Sequence, residues 1–166
     1  VKKESYKKGF FGNAHALVGH LTIQPKIILE NEQTTLLDEL LEITKQYQTL
    51  NIADEVMTGF GKTGKNFASE YLTNQPDIIC LAKSLTGGMV PMAITTCTQT
   101  VYDAFLSDEL SKGFFHGHTY SANPLACTAA SAGIDLLLSD EIQARILEIS
   151  ARHLAFENRI KQHKNV

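Results

Sequence analysis

The chain has 166 residues, 43% of them hydrophobic, and a formal net charge of -3 from 15 Lys and Arg against 18 Asp and Glu. This length and apolar content suit a single domain with a hydrophobic core. The slightly acidic charge balance gives the chain no basic surface of the kind that binds nucleic acid, so we expect no nucleic-acid partner. No stretch reaches the apolar length of a membrane span, so we expect no membrane partner and a cytoplasmic protein without a targeting signal.

The amino-terminal part of the chain carries weak structural signals. Residues 15–29, HALVGHLTIQPKIIL, mix β-branched and apolar side chains. They predict at most an interrupted strand, because Pro25 cannot donate a hydrogen bond to a sheet ladder. Residues 34–47, TTLLDELLEITKQY, repeat leucine and isoleucine at helical spacing. They predict an amphipathic helix with Thr34 or Thr35 as its N-cap.

Three short apolar runs follow, and each is typical of a buried parallel strand. They are TLNIADEV at 49–56, PDIICLAKS at 76–84 and PMAITTC at 91–97. Beyond them, QTVYDAFL at 99–106 predicts a short helix, FFHGHTYSANP at 114–124 a loop, and residues 125–138 and 140–162 two helices. The order of strands and helices predicts an α/β domain with helices packed on the sheet.

The cysteines and histidines do not indicate a metal site. Cys80, Cys97 and Cys127 are far apart and form no C-x-x-C pair, so we interpret them as small reduced core residues. His116 and His118 are two residues apart, but no carboxylate or cysteine completes a ligand set around them.

The stretch GFGKTGKN at 59–66 satisfies parts of two nucleotide-binding patterns. A P-loop needs Ser or Thr after its lysine to bind magnesium, and Asn66 occupies that position. A dinucleotide-binding turn needs a crossover helix and a second strand after it, and residues 65–77 are too few for both. Neither pattern is complete, so we predict that this stretch binds no nucleotide.

Two residues of opposite charge stand at the ends of neighbouring apolar runs. Asp54 ends the first run and Lys83 ends the second. Open α/β sheets place their ligands at this carboxyl edge. An ion pair at the sheet edge accounts for the two residues. For an arbitrary Asp and Lys the ion pair is the favoured interpretation. The functional alternative is a pyridoxal phosphate site, in which the amine forms a Schiff base and the carboxylate pairs with the ring nitrogen.

Three blocks of sequence carry a family resemblance. IADEVMTGFGKTGKNFA, PDIICLAKSLTGG and FFHGHTYSANPLAC, in this order, resemble the core of class III aminotransferases, which are fold-type I pyridoxal phosphate enzymes. The resemblance implies an α/β fold, with this chain forming part of a large domain that has a mostly parallel sheet flanked by helices. It also implies pyridoxal 5′-phosphate as cofactor and transfer of an amino group from a small-molecule donor to a keto acceptor.

The resemblance assigns roles at the cofactor ring. Lys83 matches the Schiff-base lysine, which also moves the proton during catalysis. Asp54 matches the partner of the pyridine nitrogen. Val56, two residues later and on the same side if the chain is extended, matches the apolar residue packed on the ring face. Gly59, Gly61 and Gly64 match glycines that shape a tight connection after the Asp54 strand.

The resemblance also implies a homodimer with shared active sites. Thr119 matches a hydroxyl that binds the cofactor phosphate from across the dimer interface. The backbone of His118 lies beside it, and Gly117 matches a residue close to the substrate.

The blocks cover residues 50–138, and the resemblance sets the expected domain organisation. Residues 1–166 form a single, incomplete cofactor-binding large domain, residues 1–33 are an atypical amino-terminal segment, and residues 139–166 are a helix leading toward a missing small domain. The region of Gln24 and Pro25 is shortened relative to the family. Two further hypotheses stay open: a class III enzyme acting on an ω-amino acid, and a non-catalytic remnant that acts as a dimerising module.

Overall fold

The protein's structure is a computed structural model that describes residues 15–17 and 31–163. Within these residues, four strands form one sheet in the order β1 (His15–Leu17), β2 (Thr49–Asp54), β3 (Ile78–Leu81) and β4 (Ile94–Cys97). Strand β2 pairs in parallel with both β1 and β3, whereas β4 pairs antiparallel with β3. The predicted α/β class and the mostly parallel sheet are therefore confirmed.

Each of the four helices falls in a segment where a helix is predicted, although the first begins before its predicted start. They are α1 (Asn31–Gln46), α2 (Gln99–Asp103), α3 (Pro124–Leu137) and α4 (Asp140–Lys161). Helix α3 begins after Asn123, whose side chain accepts the backbone N–H groups of Leu125 and Ala126. Ser139 caps α4 in the same way through the N–H of Ile142. None of the helices in the described part of the chain is long and apolar enough to cross a membrane.

Two predictions about individual elements are wrong. The first helix begins at Asn31, so Thr34 and Thr35 lie inside it and neither is the N-cap. The run at 91–97 forms an antiparallel, mostly exposed strand instead of a buried parallel one. A parallel return usually runs through a crossover helix. Between β3 and β4 the chain forms only a four-residue 3-10 turn, Lys83–Thr86, and reverses direction.

The amino-terminal predictions are tested only at β1. His15–Leu17 forms a strand within the segment 15–29, for which an interrupted strand is predicted. The remainder of that segment, including the region of Gln24 and Pro25, lies outside the described residues. The prediction that residues 1–33 form an atypical segment stays a prediction.

The core lies where α3 packs behind the 3-10 turn that follows β3. Leu85 of that turn is 1% exposed, and Ala126 and Ala130 of α3 are also buried. The helix comes so close that a Cβ built on Gly133 would lie 2.9 Å from the backbone oxygen of Leu85. The small residues of α3 therefore permit the close approach to a neighbouring segment that large side chains would prevent.

The glycine-rich stretch forms the predicted tight connection after β2. Gly61 and Gly64 have φ values of +87° and +98°, which side chains bearing a Cβ rarely adopt. A Cβ on Gly64 would also lie 2.7 Å from the Ser150 hydroxyl of α4. The loop thus packs against α4, and its glycines serve backbone conformation and packing.

Asp38 joins α1 to the loop before β3. Its two carboxylate oxygens accept the backbone N–H groups of Asn74 at 2.7 Å and Thr73 at 3.0 Å. Burial alone raises the pKa of Asp38, but these hydrogen bonds and the nearby Lys45 ammonium outweigh it and hold the pKa below its ordinary value. The folded state therefore favours the ionised form of this carboxyl.

We predict that Asp38→Asn lowers the free energy of unfolding at pH 7 by at most about 1 kcal/mol, because the site is largely solvated. Since the folded pKa of Asp38 is depressed, its contribution is complete above the unfolded value near pH 4 and is lost as the pH falls through the folded value. Melting curves of both proteins from pH 7 to pH 3 should therefore converge in acid. Glu39→Gln, on the same helix, is the control, and a gap between Asp38→Asn and wild type that stays constant with pH contradicts the assignment.

Candidate active site

The carboxyl ends of β2 and β3 bring the predicted acid and amine to one edge of the sheet. The strands are parallel neighbours, and Asp54 at the end of β2 is in register with Cys80 of β3. Lys83 follows two residues after the last residue of β3. The predicted adjacency of the two strands is confirmed, and this edge is where open α/β sheets bind ligands.

Lys83 opens the 3-10 turn Lys83–Thr86 with an unusual backbone conformation. Its φ is +26°, in a region that residues with a Cβ seldom occupy. The turn is closed by the Leu85 N–H, which donates to the Ala82 carbonyl at 2.8 Å, and by the buried Leu85 side chain. The Lys83 side chain is exposed, and within the described residues its ammonium has no hydrogen-bond or ion-pair partner. Strained backbone of this kind is found at functional positions.

A cavity of about 700 Å³ lies beside Lys83. One wall, here called the apolar wall, consists of residues 90–93 between the 3-10 turn and β4. The lining also includes residues with imidazole, phenol, hydroxyl and amide groups from the loop before α3: His116, His118, Tyr120, Ser121 and Asn123. The cavity therefore combines one amine, one apolar surface and several hydrogen-bonding groups.

Between residues 116 and 120, alternate residues of the loop line this cavity. His116, His118 and Tyr120 line it, whereas Gly117 and Thr119 do not. The Nδ1 atom of His118 accepts the backbone N–H of Tyr120 at 3.1 Å, which fixes the turn of the loop at this point. The structure therefore brings His118 together with Lys83 and leaves Gly117 and Thr119 outside the cavity.

Asp54 and Val56 also lie outside the cavity lining. Asp54 is exposed, and its Oδ1 atom accepts the backbone N–H of Val56 at 3.1 Å. Val56 belongs to a turn, so the expectation that it continues an extended chain on the same side as Asp54 is wrong. The strand ends at Asp54 because the chain turns at once into the glycine-rich loop.

Glu55 is a buried carboxylate that sequence reasoning missed. It is 2% exposed. Its oxygens accept the backbone N–H groups of Ala68 at 2.6 Å and Ser69 at 2.8 Å, and the Thr58 hydroxyl at 3.3 Å. Glu55 thus ties the end of β2 to the 3-10 turn Ala68–Tyr71, on the far side of the glycine-rich loop. The available signal was an acidic residue set between an apolar strand and the apolar pair Val56 and Met57.

The lysines of the glycine-rich loop show no ligand-binding arrangement. Lys65 donates to the Glu70 carbonyl at 2.8 Å and stands 4.5 Å above the centre of the Tyr71 ring. Burial, with a smaller effect from Glu70, raises the pKa of Tyr71, so this phenol stays protonated. Its hydroxyl donates to the Thr63 carbonyl at 2.7 Å. Lys65 therefore stabilises the loop, and Lys62 is exposed.

The cysteines and histidines form no metal centre in the residues that the structure describes. No group of three His, Cys, Asp or Glu residues comes together there in a way that could hold a metal ion. All three cysteines are free thiols, and Cys97 is exposed on β4 instead of packed in the core.

The cavity fits pyridoxal phosphate in size and in chemistry. Its volume lies in the usual range of small-molecule sites, roughly 300–1,000 Å³. It contains an amine without a bonding partner among the described residues, and no carboxylate lines it that would repel a phosphate. Lys83 would hold the cofactor covalently. His118 lines the same cavity and would contact the bound cofactor.

Comparison with known proteins shows which family the chain resembles and which of its residues match. The family profile "Aminotransferase class-III" matches residues 29–166, beyond the blocks at 50–138 on both sides. The adenosylmethionine-8-amino-7-oxononanoate aminotransferase of Synechococcus elongatus is 49% identical over 118 residues, which are 71% of this chain and 27% of that protein.

Two solved structures share the fold. The adenosylmethionine-8-amino-7-oxononanoate aminotransferase of Methanocaldococcus jannaschii is 37% identical, with a TM-score of 0.66 over 78% of this chain and 31% of that one. The taurine:2-oxoglutarate aminotransferase of Bifidobacterium kashiwanohense, solved with PLP and glutamate, is 32% identical, with a TM-score of 0.69 over 77% of this chain and 28% of that one. These superpositions confirm that the chain forms part of the predicted fold of a pyridoxal-phosphate-dependent aminotransferase. The chain spans about a quarter of the length of the curated relative it matches, and over residues 29–166 it belongs to the class III aminotransferase family.

Proposed function

We propose that the chain carries the lysine-bearing part of a pyridoxal-phosphate-dependent aminotransferase. The reaction would move an amino group from S-adenosylmethionine to 8-amino-7-oxononanoate and give 7,8-diaminononanoate, a step of biotin biosynthesis. The observation that carries the proposal is the Lys83 amine, exposed in a cavity of about 700 Å³ at the carboxyl edge of the sheet. The relatives named for this reaction, and the HGHTYSANPLAC block, favour these substrates.

The proposed chemistry places distinct tasks on this chain's residues. When bound, pyridoxal phosphate supplies an aldehyde that condenses with an amine to a C=N bond and water, and a ring that accepts electrons. Lys83 would hold the cofactor through that bond. Its Nζ would also be placed to move a proton between the amine-bearing carbon of the substrate and the cofactor. Asp54 and Val56 do not line the cavity, but Asp54 stands at the same sheet edge; on the cofactor, Asp54 would hold the ring nitrogen protonated and Val56 would pack on the ring face.

Absorption spectroscopy tests the proposal on the 166-residue chain. We predict a visible Schiff-base band when pyridoxal phosphate is added to the wild type, and loss of that band in Lys83→Ala, because among the described residues no other lysine lines the cavity. Lys112→Ala is the matched control. Lys112 is exposed, does not line the cavity, and its Nζ lies 3.2 Å from Glu109 Oε1. Equal bands from wild type and Lys83→Ala would contradict the proposal.

A second candidate is a class III enzyme with an ω-amine as donor. The superposition on the taurine:2-oxoglutarate aminotransferase, with a TM-score of 0.69, favours it. Conversion of the bound cofactor to its amine form by S-adenosylmethionine, and not by taurine, supports the first candidate, and the reverse supports the second. Binding of the cofactor with turnover of neither donor supports the third hypothesis, a non-catalytic dimerising module.

We propose in addition that two copies share their active sites. Gly117 and Thr119 do not line their own copy's cavity, which leaves Thr119 available to contact the cofactor phosphate held by a second copy. The loop is suited to an interface, since Phe114, Phe115 and Tyr120 are 66%, 73% and 72% exposed. The His118 backbone would lie beside Thr119, with Gly117 close to the substrate. A solution mass that stays monomeric when pyridoxal phosphate is present contradicts this arrangement.

A further inference from the structure

Thr86 ends the 3-10 turn that Lys83 opens, and it is held at two points. The residue is 4% exposed. Its hydroxyl donates to the Val90 carbonyl at 2.6 Å, and its own carbonyl accepts the Met89 N–H at 3.2 Å. The side chain and the backbone of Thr86 therefore both bind the segment that begins the apolar wall.

The chain between these bonding partners reverses through two glycines. Gly87 and Gly88 have φ values of +62° and +81°, and a Cβ on either would meet nothing within 4 Å. Glycine is needed there for backbone conformation, and such a reversal is flexible unless other groups fix it. The outer ends of the connection are fixed by the pairing of Leu81 with Ile94. Inside the connection, the hydrogen bonds of Thr86 fix it.

This connection supplies two parts of the cavity lining, Ala82 with Lys83 and the apolar wall. Thr86 itself does not line the cavity, so it acts on the site only through Val90 and Met89. We propose that Thr86 is a positioning residue that sets the spacing between the Lys83 amine and the apolar wall, an inference that rests on the proposed cofactor site.

Two substitutions separate the hydroxyl from the shape of the side chain. Thr86→Val keeps the shape and removes the donor, whereas Thr86→Ser keeps the donor. Without the hydrogen bond the loop spends less time in the cofactor-competent arrangement, and apparent affinity falls in proportion to that population. We expect the dissociation constant for pyridoxal phosphate, measured from the visible band, to rise about tenfold in Thr86→Val and to stay within about threefold of wild type in Thr86→Ser.

Equal affinity of Thr86→Val and wild type, or equal weakening in Thr86→Ser and Thr86→Val, overturns the inference and leaves the cofactor site intact. Absence of any Lys83-dependent band in the wild type overturns both. A measurement on the unaltered chain covers the case in which Thr86→Val does not fold. Hydrogen exchange of the Met89 amide, which donates to the Thr86 carbonyl, should slow several-fold on addition of pyridoxal phosphate. Exchange that does not change overturns the inference.

Discussion

Replacing Glu55 by Gln is expected to lower the free energy of unfolding by about 3 kcal/mol, because buried hydrogen bonds to a charged group are strong and unpaired buried donors are costly. The Glu55 carboxylate accepts from two backbone N–H groups, one on each oxygen, and it is 2% exposed. A glutamine can accept at only one of those positions. Its NH₂ group would face either the Ala68 or the Ser69 N–H, donor against donor.

The matched control is Glu70→Gln, in the 3-10 turn Ala68–Tyr71 whose backbone N–H groups Glu55 accepts. Glu70 accepts one backbone N–H, from Phe67 at 2.9 Å, but it is exposed, so water can replace the lost bond. We expect a loss of about 0.5–1 kcal/mol for this variant. Urea denaturation of both variants gives the comparison. A Glu55→Gln chain no less stable than Glu70→Gln would show that the buried carboxylate does not hold the loop.

The second large effect is expected at Gly133. A Cβ there would lie 2.9 Å from the Leu85 backbone oxygen, so the helix and the turn that carries Lys83 would have to separate. Overpacking of this kind costs about 3 kcal/mol for Gly133→Val. For Gly133→Ala we expect about 1 kcal/mol, because the gain in helix propensity, also about 1 kcal/mol, offsets part of the strain.

Cofactor binding should report the same displacement. Since α3 supports the turn Lys83–Thr86 from behind, Gly133→Val should weaken pyridoxal phosphate binding more than Gly133→Ala does. Ser131→Ala, at an exposed position of the same helix, is the control and should leave both stability and binding close to wild type. If Gly133→Val melted and bound cofactor like Ser131→Ala, close packing of α3 on the lysine turn would be contradicted.

The sequence predicts elements well where local chemistry decides them. Asn123 and Ser139 stand directly before apolar periodic runs, and both cap the helices that follow. The direction of β4 could not be read in this way. An apolar run has the same composition whichever way it pairs, and pairing depends on the path of residues 82–93. Helix α1 begins before its predicted start because its first turn lacks the apolar periodicity that indicates a helix.

The candidate site was predictable in part for the same reason. Asp54 and Lys83 end neighbouring apolar runs, and parallel pairing brings the two ends to one edge. The positions of Val56 and Glu55 depend on the turn after β2, which no local pattern specifies. Glu55 finds its partners 13 and 14 residues later in the chain. Contacts of this kind are long-range, and only the folded chain displays them.

Chemical trapping at Lys83 tests the central claim most directly. The chain is incubated with pyridoxal phosphate, the C=N bond is reduced with sodium borohydride, and proteolytic peptides are mapped by mass spectrometry. We predict that the cofactor is attached at Lys83, with little label on the other exposed lysines such as Lys62 and Lys112. Labelling spread evenly over surface lysines, with no preference for Lys83, would contradict the assignment of this cavity as a pyridoxal phosphate site.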